Sequence, residues 1–105
     1  PGDVTVIYRV RNAADAALLE EIQVLCRHRG FKLEIMAGPR ANHSSWMNAD
    51  GTGRSDLVRL AEIAPRITES DVFICGPTGW THNVEKSVLK AGTPVNQIHA
   101  EEFAW

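Results

Sequence analysis

The apolar residues of this chain change their spacing again and again, and that alternation is what most limits the fold. VTVIYRV (Val4–Val10) is β-branched and aromatic, apolar enough for a strand covered on both faces. In DAALLEEIQVLCRHRG the spacing lengthens to that of a helix, with Leu18, Leu19, Ile22, Leu25 and Cys26 on one stripe. Glu20 and Glu21 sit early and Arg27, His28 and Arg29 late, as the helix dipole prefers, and Gly30 supplies a left-handed stop. FKLEIMA (Phe31–Ala37) alternates apolar and polar, the pattern of a strand nearer an edge. GPRANHSSWMNADGTG is a loop by composition, long enough to suggest a function or mobility. Ser55 and Asp56 then cap a short helix through Ala64, with Leu57, Leu60, Ala61 and Ala64 turned inward and Pro65 at its end. DVFIC reads as a short buried strand, Thr81 to Ala91 as a helix with Val84, Val88 and Leu89 as its apolar side and Gly92 as its stop, and NQIHAEEF as a last strand. Strand and helix in turn predict an α/β fold, a parallel sheet of about four strands with helices on its faces.

Composition narrows the function classes. The 105 residues make one domain or a piece of one, and a net charge of −2 argues against nucleic acid or an anionic membrane as the main partner. No apolar run approaches the roughly 20 residues of a membrane span. Cys26 and Cys75 form no CxxC and read as reduced cytoplasmic thiols, Cys26 as a buried hydrophobe. His28, His43, His82 and His99 show no HxH or HxxxH spacing, so a metal site is not expected.

In parallel sheets of this kind ligands bind beyond the carboxyl ends of the strands. Arg9, Arg11, Gly38, Arg40 and the run Cys75-Gly76-Pro77-Thr78-Gly79 all fall at such ends. Cys75 precedes a helix whose dipole can lower its pKa, so a redox-sensing thiol is one reading of it. Gly76 and Gly79 suit close approach of a ligand or simply a tight turn, and the helix start after Gly79 can hold an anion. Arg9, Arg11 and Arg40 suit a phosphate or plain surface charge. Ser45 and Trp46, with His43 and Ser44, are assigned only ligand contact. Trp80 reads as a core residue, and His99 as part of a packed or solvated strand face.

Cys75-Gly76-Pro77 after an apolar strand, followed by SVLKAGTPVNQIHAEEFAW, closely resembles the end of the pyridine-nucleotide domain of the ferredoxin–NADP reductase superfamily. VTVIYRVRN resembles that domain's second strand and AGPR the turn after its third, so the likeness spans essentially residues 1–105. It implies a partial Rossmann-like three-layer fold and NAD(P)H-binding chemistry: hydride passes from NADPH or NADH to FAD or FMN, and electrons go onward. By that resemblance Cys75 sits beside the nicotinamide, Glu101 is the acidic residue near it, and Phe103 or Trp105 faces the flavin. Arg40 is then a candidate for an adenosine 2′-phosphate, with Arg9 and Arg11 towards the adenosine end.

The family's first strand and its glycine-rich turn have no counterpart here, nor has its flavin-binding barrel. The expectation is therefore a truncated domain from a reductase, cytoplasmic or with a membrane-associated parent, whose flavin lies mainly on a domain outside this chain. Since the missing strand is central, VTVIYRV and DVFIC must meet each other in a rearranged four-stranded sheet or associate with a second copy. Alone, such a piece is expected to be inactive. The competing reading is a non-catalytic oligomerisation or binding module on the same scaffold.

Overall fold

A computed structural model of the chain describes residues 3–10, 16–36, 45–47 and 54–103. Four strands and three helices alternate: β1 (Asp3–Arg9), α1 (Ala16–Arg29), β2 (Lys32–Met36), α2 (Asp56–Ile63), β3 (Ser70–Pro77), α3 (Thr78–Ala91) and β4 (Ile98–Phe103). The strands form one sheet in the order β2-β1-β3-β4, and every neighbouring pair is parallel. The expected α/β sheet of four parallel strands is therefore found.

The direct pairing of β1 with β3 closes the sheet. Its register runs from Asp3 opposite Ser70 to Tyr8 opposite Cys75, so the edges that a missing central strand would leave open satisfy each other. A buried hydrogen bond from the Thr5 hydroxyl to Ser70 Oγ, 3.1 Å long, pins the start of this seam. Parallel crossovers are right-handed. β1 to β2 steps one way along the sheet, whereas β2 to β3 and β3 to β4 step the other. That rule puts α1 on one face and α2 with α3 on the opposite face.

The core lies on the α2–α3 side. Ile7, Val72 and Ile74 from the sheet meet Leu60, Ala64, Val84 and Val88 from the helices, all 3% exposed or less. β3 is consequently buried on one face only: Val72 and Ile74 point into the core while Asp71 and Phe73 are exposed. The expectation of a buried strand therefore holds for one face of it. The second helix layer does not extend over that half of the sheet, and the Phe73 ring is left stacked on His99 with centroids 4.7 Å apart.

Local signals were honoured at the helix ends. The Ser55 hydroxyl accepts the Val58 N–H as N-cap of α2. Gly92, at φ 108°, closes α3 by donating its N–H to Leu89 and Val88 carbonyls. Three inward stripes differ from expectation, that of α3 in Leu89, which is 46% exposed while Val84 and Val88 are buried. In α2 the buried positions are Leu60 and Ala64 with Ile63 half-buried, whereas Leu57 and Ala61 are exposed. Two turns of helix lying across α3 present only the line through Leu60. In α1, Cys26 is buried as expected but Leu25 is 50% exposed, because no further helix lies beside it among the described residues.

The two faces of β3 should respond differently to substitution. Ile74→Ala is expected to cost about 2–5 kcal/mol by urea denaturation through lost burial and a residual cavity. Phe73→Ser should cost less than about 1 kcal/mol, since its ring is already partly in water.

Candidate functional site

The carboxyl edge of the sheet collects most of the residues singled out in the sequence. β1 delivers Arg9, β3 delivers Cys75, Gly76 and Pro77, and β4 delivers Glu101, Glu102 and Phe103. Register brings them together: Tyr8 lies opposite Cys75, Cys75 opposite Glu101, Gly76 opposite Glu102 and Pro77 opposite Phe103. Arg11, Gly38, Arg40 and Trp105 lie outside the described residues, as does the side chain of Phe103.

The segment after Cys75 is not a loop. β3 runs on through Pro77 and α3 begins at once with Thr78, three residues before the expected start. Proline suits the junction, because its fixed φ of −65° leads into the helix and its missing N–H costs no helical bond. It offers no side-chain cap, so the amino-terminus of α3 is uncapped by its own N-cap residue. Thr78 and Gly79 form the first turn, both exposed, and a Cβ built on Gly79 would meet nothing within 4 Å.

Gly76 is required for a reason that neither a tight turn nor a ligand supplies. A Cβ there would lie 2.5 Å from Trp80 Cε3 and 3.0 Å from Arg9 Cβ. The bare backbone thus makes room for the Trp80 indole, which is 3% exposed, as its reading as a core residue required. Trp80 donates its indole N–H to the Trp46 carbonyl at 2.9 Å and packs edge-on against the Trp46 ring.

Trp46 is the residue that sequence reasoning misplaced. It is fully buried and donates its own indole N–H to Ser87 Oγ at 2.9 Å. Asp56 fixes the same segment from the first turn of α2, accepting the Trp46 N–H at 3.0 Å and the Ser45 hydroxyl. Ser45 and Trp46 are structural anchors that bind the chain between β2 and α2 to the core. The apolar pair Trp46-Met47 inside a polar stretch was the available signal; His43 and Ser44 lie outside the described residues.

Electrostatics decide the character of Cys75. Burial pushes its thiol up from the ordinary range, and the Glu101 carboxylate and Cys26 push in the same direction. The lowering expected from a helix start is overruled, because the thiol is half-buried and faces a carboxylate. A protonated thiol at neutral pH is a poor nucleophile and a poor redox sensor. It is a small, neutral, polarisable contact.

Glu102 was also missed. Its carboxylate accepts the Thr78 hydroxyl at 3.3 Å and lies 3.9 Å from His82 Nε2, tying the end of β4 to the first turns of α3. Strand alternation was the clue, since Glu102 shares its face with Ile98 and Ala100 rather than with Glu101. Among the described residues no group of His, Cys, Asp and Glu can hold a metal ion. None of the described helices is long and apolar enough to cross a membrane.

No family model matches the chain. It is similar to the flavohemoprotein of Vibrio cholerae, 26% identical over 100 residues, which covers 95% of this chain and 23% of that protein. It is also similar to an NADPH oxidoreductase of Mycobacterium tuberculosis, 27% identical over 103 residues, covering 97% of this chain and 24% of that one. A glycine betaine monooxygenase reductase subunit of Pseudomonas aeruginosa is 26% identical over 102 residues, 96% of this chain and 27% of the relative. The chain therefore spans about a quarter of the length of the curated relatives it matches. Among solved structures, its fold is that of the flavohem-like FAD/NAD binding domain of nitric oxide dioxygenase from Vibrio cholerae. The TM-score is 0.57 at 22% identity, covering 95% of this chain and 39% of that one. The ferredoxin reductase of a carbazole dioxygenase gives a TM-score of 0.56 at 16% identity, over 97% of this chain and 36% of that one. The resemblance to the pyridine-nucleotide domain of the ferredoxin–NADP reductase superfamily, first visible in Cys75-Gly76-Pro77 and the last strand, holds across the chain.

Gly76→Ala should destabilise the protein by about 1–3 kcal/mol, because the Trp80 ring has to shift, and urea unfolding followed by tryptophan emission reads this directly. Alkylation of Cys75 should be slow at neutral pH. Since the folded protein holds the proton more tightly, the rate should rise only at a higher pH than in the urea-unfolded chain, where the inflection falls back to that of an ordinary thiol.

Proposed function

We propose that this chain is the NAD(P)H-binding part of a flavin-dependent oxidoreductase, a truncated pyridine-nucleotide domain over residues 1–105. The observation that carries the reading is the carboxyl edge itself: a neutral, half-buried thiol in register with Glu101, beside an uncapped helix start with open space over Gly79. An oxyanion of the nucleotide suits that helix start, where N–H groups and the positive end of the dipole lie. The bare surface at Gly79 fits close approach. Gly76 contributes differently, since its missing side chain is taken up by Trp80.

In this reading Cys75 bounds the nicotinamide ring without attacking it, and Pro77 and Thr78 shape the wall beside it. Glu101 supplies a carboxylate at the reacting end, while Glu102 holds Thr78. Phe103 or Trp105 stacks towards the flavin. Arg9 and Arg11 bind the adenosine end, with Gly38 and Arg40 towards a 2′-phosphate, which favours NADPH. The bound nicotinamide supplies hydride and FAD or FMN accepts it. The residues of this chain serve orientation, because such a transfer is mainly a positioning problem. The flavin is held by a partner domain, so the chain by itself turns over little. Its surroundings are cytoplasmic.

Titration calorimetry with NADPH and NADH tests this, and it is preferable to tryptophan emission because Trp46 and Trp80 are buried in the core. Nucleotide should bind the wild-type chain, and Gly79→Glu should weaken binding roughly tenfold or more by filling the open approach with a negative charge. Absence of binding by either nucleotide overturns the reading. With free flavin and NADPH, oxidation should stay near background; robust turnover would show that the chain needs no flavin-bearing partner.

A further inference from the structure

Trp80 stands where three parts of the carboxyl edge meet. It belongs to the first turn of α3, just beyond Thr78 and Gly79, yet its ring reaches back under the end of β3. Gly76 turns the same way as Val72 and Ile74, towards the core, whereas Cys75 turns to the opposite face. In the space that a Gly76 side chain would need, Trp80 Cε3 and Cζ3 lie 2.5 and 2.8 Å from the position of a Cβ, and Arg9 Cβ lies 3.0 Å from it. The indole therefore backs the strand that carries Cys75 and lies beside the foot of the Arg9 side chain. It is also part of the turn that carries Thr78 and Gly79.

The ring is held from its far side as well. Its N–H donates to the Trp46 carbonyl at 2.9 Å, and Trp46 is itself fixed by Ser87 and Asp56. Gly76 has no side chain to set its own height and the widest backbone freedom of any residue. Buried to 3% exposure and bonded at its far end, the ring is the less movable of the two, so the backbone follows the ring. We infer that Trp80 is a positioning residue of the candidate site. Its ring sets the height of the Gly76 backbone, and through it the spacing between Cys75, Arg9 and the start of α3.

A ligand that spans several strand ends is sensitive to their spacing, and a misplacement of about 1 Å far from the reacting atoms can cost roughly a hundredfold in rate. Trp80 touches no ligand itself, being covered by Gly76 on one side and by the core on the other. The ligand in this inference is the nucleotide of the proposed function and rests on that reading, whereas the geometry around Gly76 stands without it.

Titration calorimetry with NADPH on the full chain, under conditions where circular dichroism stays native, tests the assignment. Trp80→Leu should weaken binding roughly tenfold or more. Trp80→Phe keeps a ring against Gly76 and should recover to within about threefold of the wild type. Val88→Ala controls for lost stability alone: it empties a fully buried position further along α3 and should bind as the wild type does. Gly76→Ala should weaken binding while Trp80 is present, but not further in the Trp80→Leu background, where the added methyl enters the space left by the ring. Cys75 gives a second readout that needs no nucleotide: its alkylation at fixed pH should quicken several-fold in Trp80→Leu and stay unchanged in Val88→Ala. If the wild type binds but Trp80→Leu binds equally well, the inference falls while the nucleotide reading stands. The same holds if Trp80→Phe binds no better than Trp80→Leu, or if Val88→Ala is weakened as much. If no form binds nucleotide, that reading falls and alkylation decides: a rate indifferent to Trp80→Leu overturns the positioning role as well. Should Trp80→Leu fail to fold, Gly76→Ala takes its place in both measurements, and unchanged affinity with unchanged alkylation there overturns the role.

Discussion

The parallel pairing of β1 with β3 is the contact on which the rest of the molecule depends. Each strand has one edge on an outer strand, β2 or β4, and would otherwise present its other row of N–H and C=O groups to water. Their pairing joins two strand–helix–strand halves into a single sheet and aligns the carboxyl ends of β1, β3 and β4. Arg9, Cys75 and Glu101 become neighbours only through that register. The same pairing puts Ile7 beside Ile74 in the centre of the core, so the seam that builds the candidate site also stabilises the fold.

The cost of this arrangement shows on the opposite face. Among the described residues three helices cover the four-stranded sheet unevenly: α2 and α3 share one side, and α1 takes the other. Phe73 and His99 are left on an open half-face, while Val24 and Leu25 are left on the flank of α1. Apolar side chains at these positions gain nothing in the isolated chain. A domain of this size already has little surplus burial to lose.

At the site, packing and chemistry compete for the same residues. Gly76 has the composition of a ligand loop, yet its absent side chain is filled by Trp80, whose indole in turn holds Trp46. Gly79, three residues on, keeps its space open. The Cys75 thiol stays protonated because burial and a facing carboxylate outweigh the helix start. Contact with a flat, neutral ring suits such a group better than nucleophilic attack. Glu101 and Glu102 divide by strand alternation, one towards Cys75 and one towards Thr78 and His82.

By itself the sequence determined the order and type of the elements, the Ser55 and Gly92 caps, and the placing of Arg9 and Cys75 at one edge of the sheet. Spacing of apolar residues, turn glycines and cap hydroxyls act within a few neighbours along the chain, so they can be read locally. It also carried the family likeness in Cys75-Gly76-Pro77 and the last strand. Only tertiary structure decided that β1 and β3 are adjacent, that Trp46 belongs to the core, and that Leu25 and Leu57 face water. It also decided that Gly76 serves Trp80. Those outcomes depend on which distant surfaces meet and which face lacks a cover, and local periodicity holds no information about either.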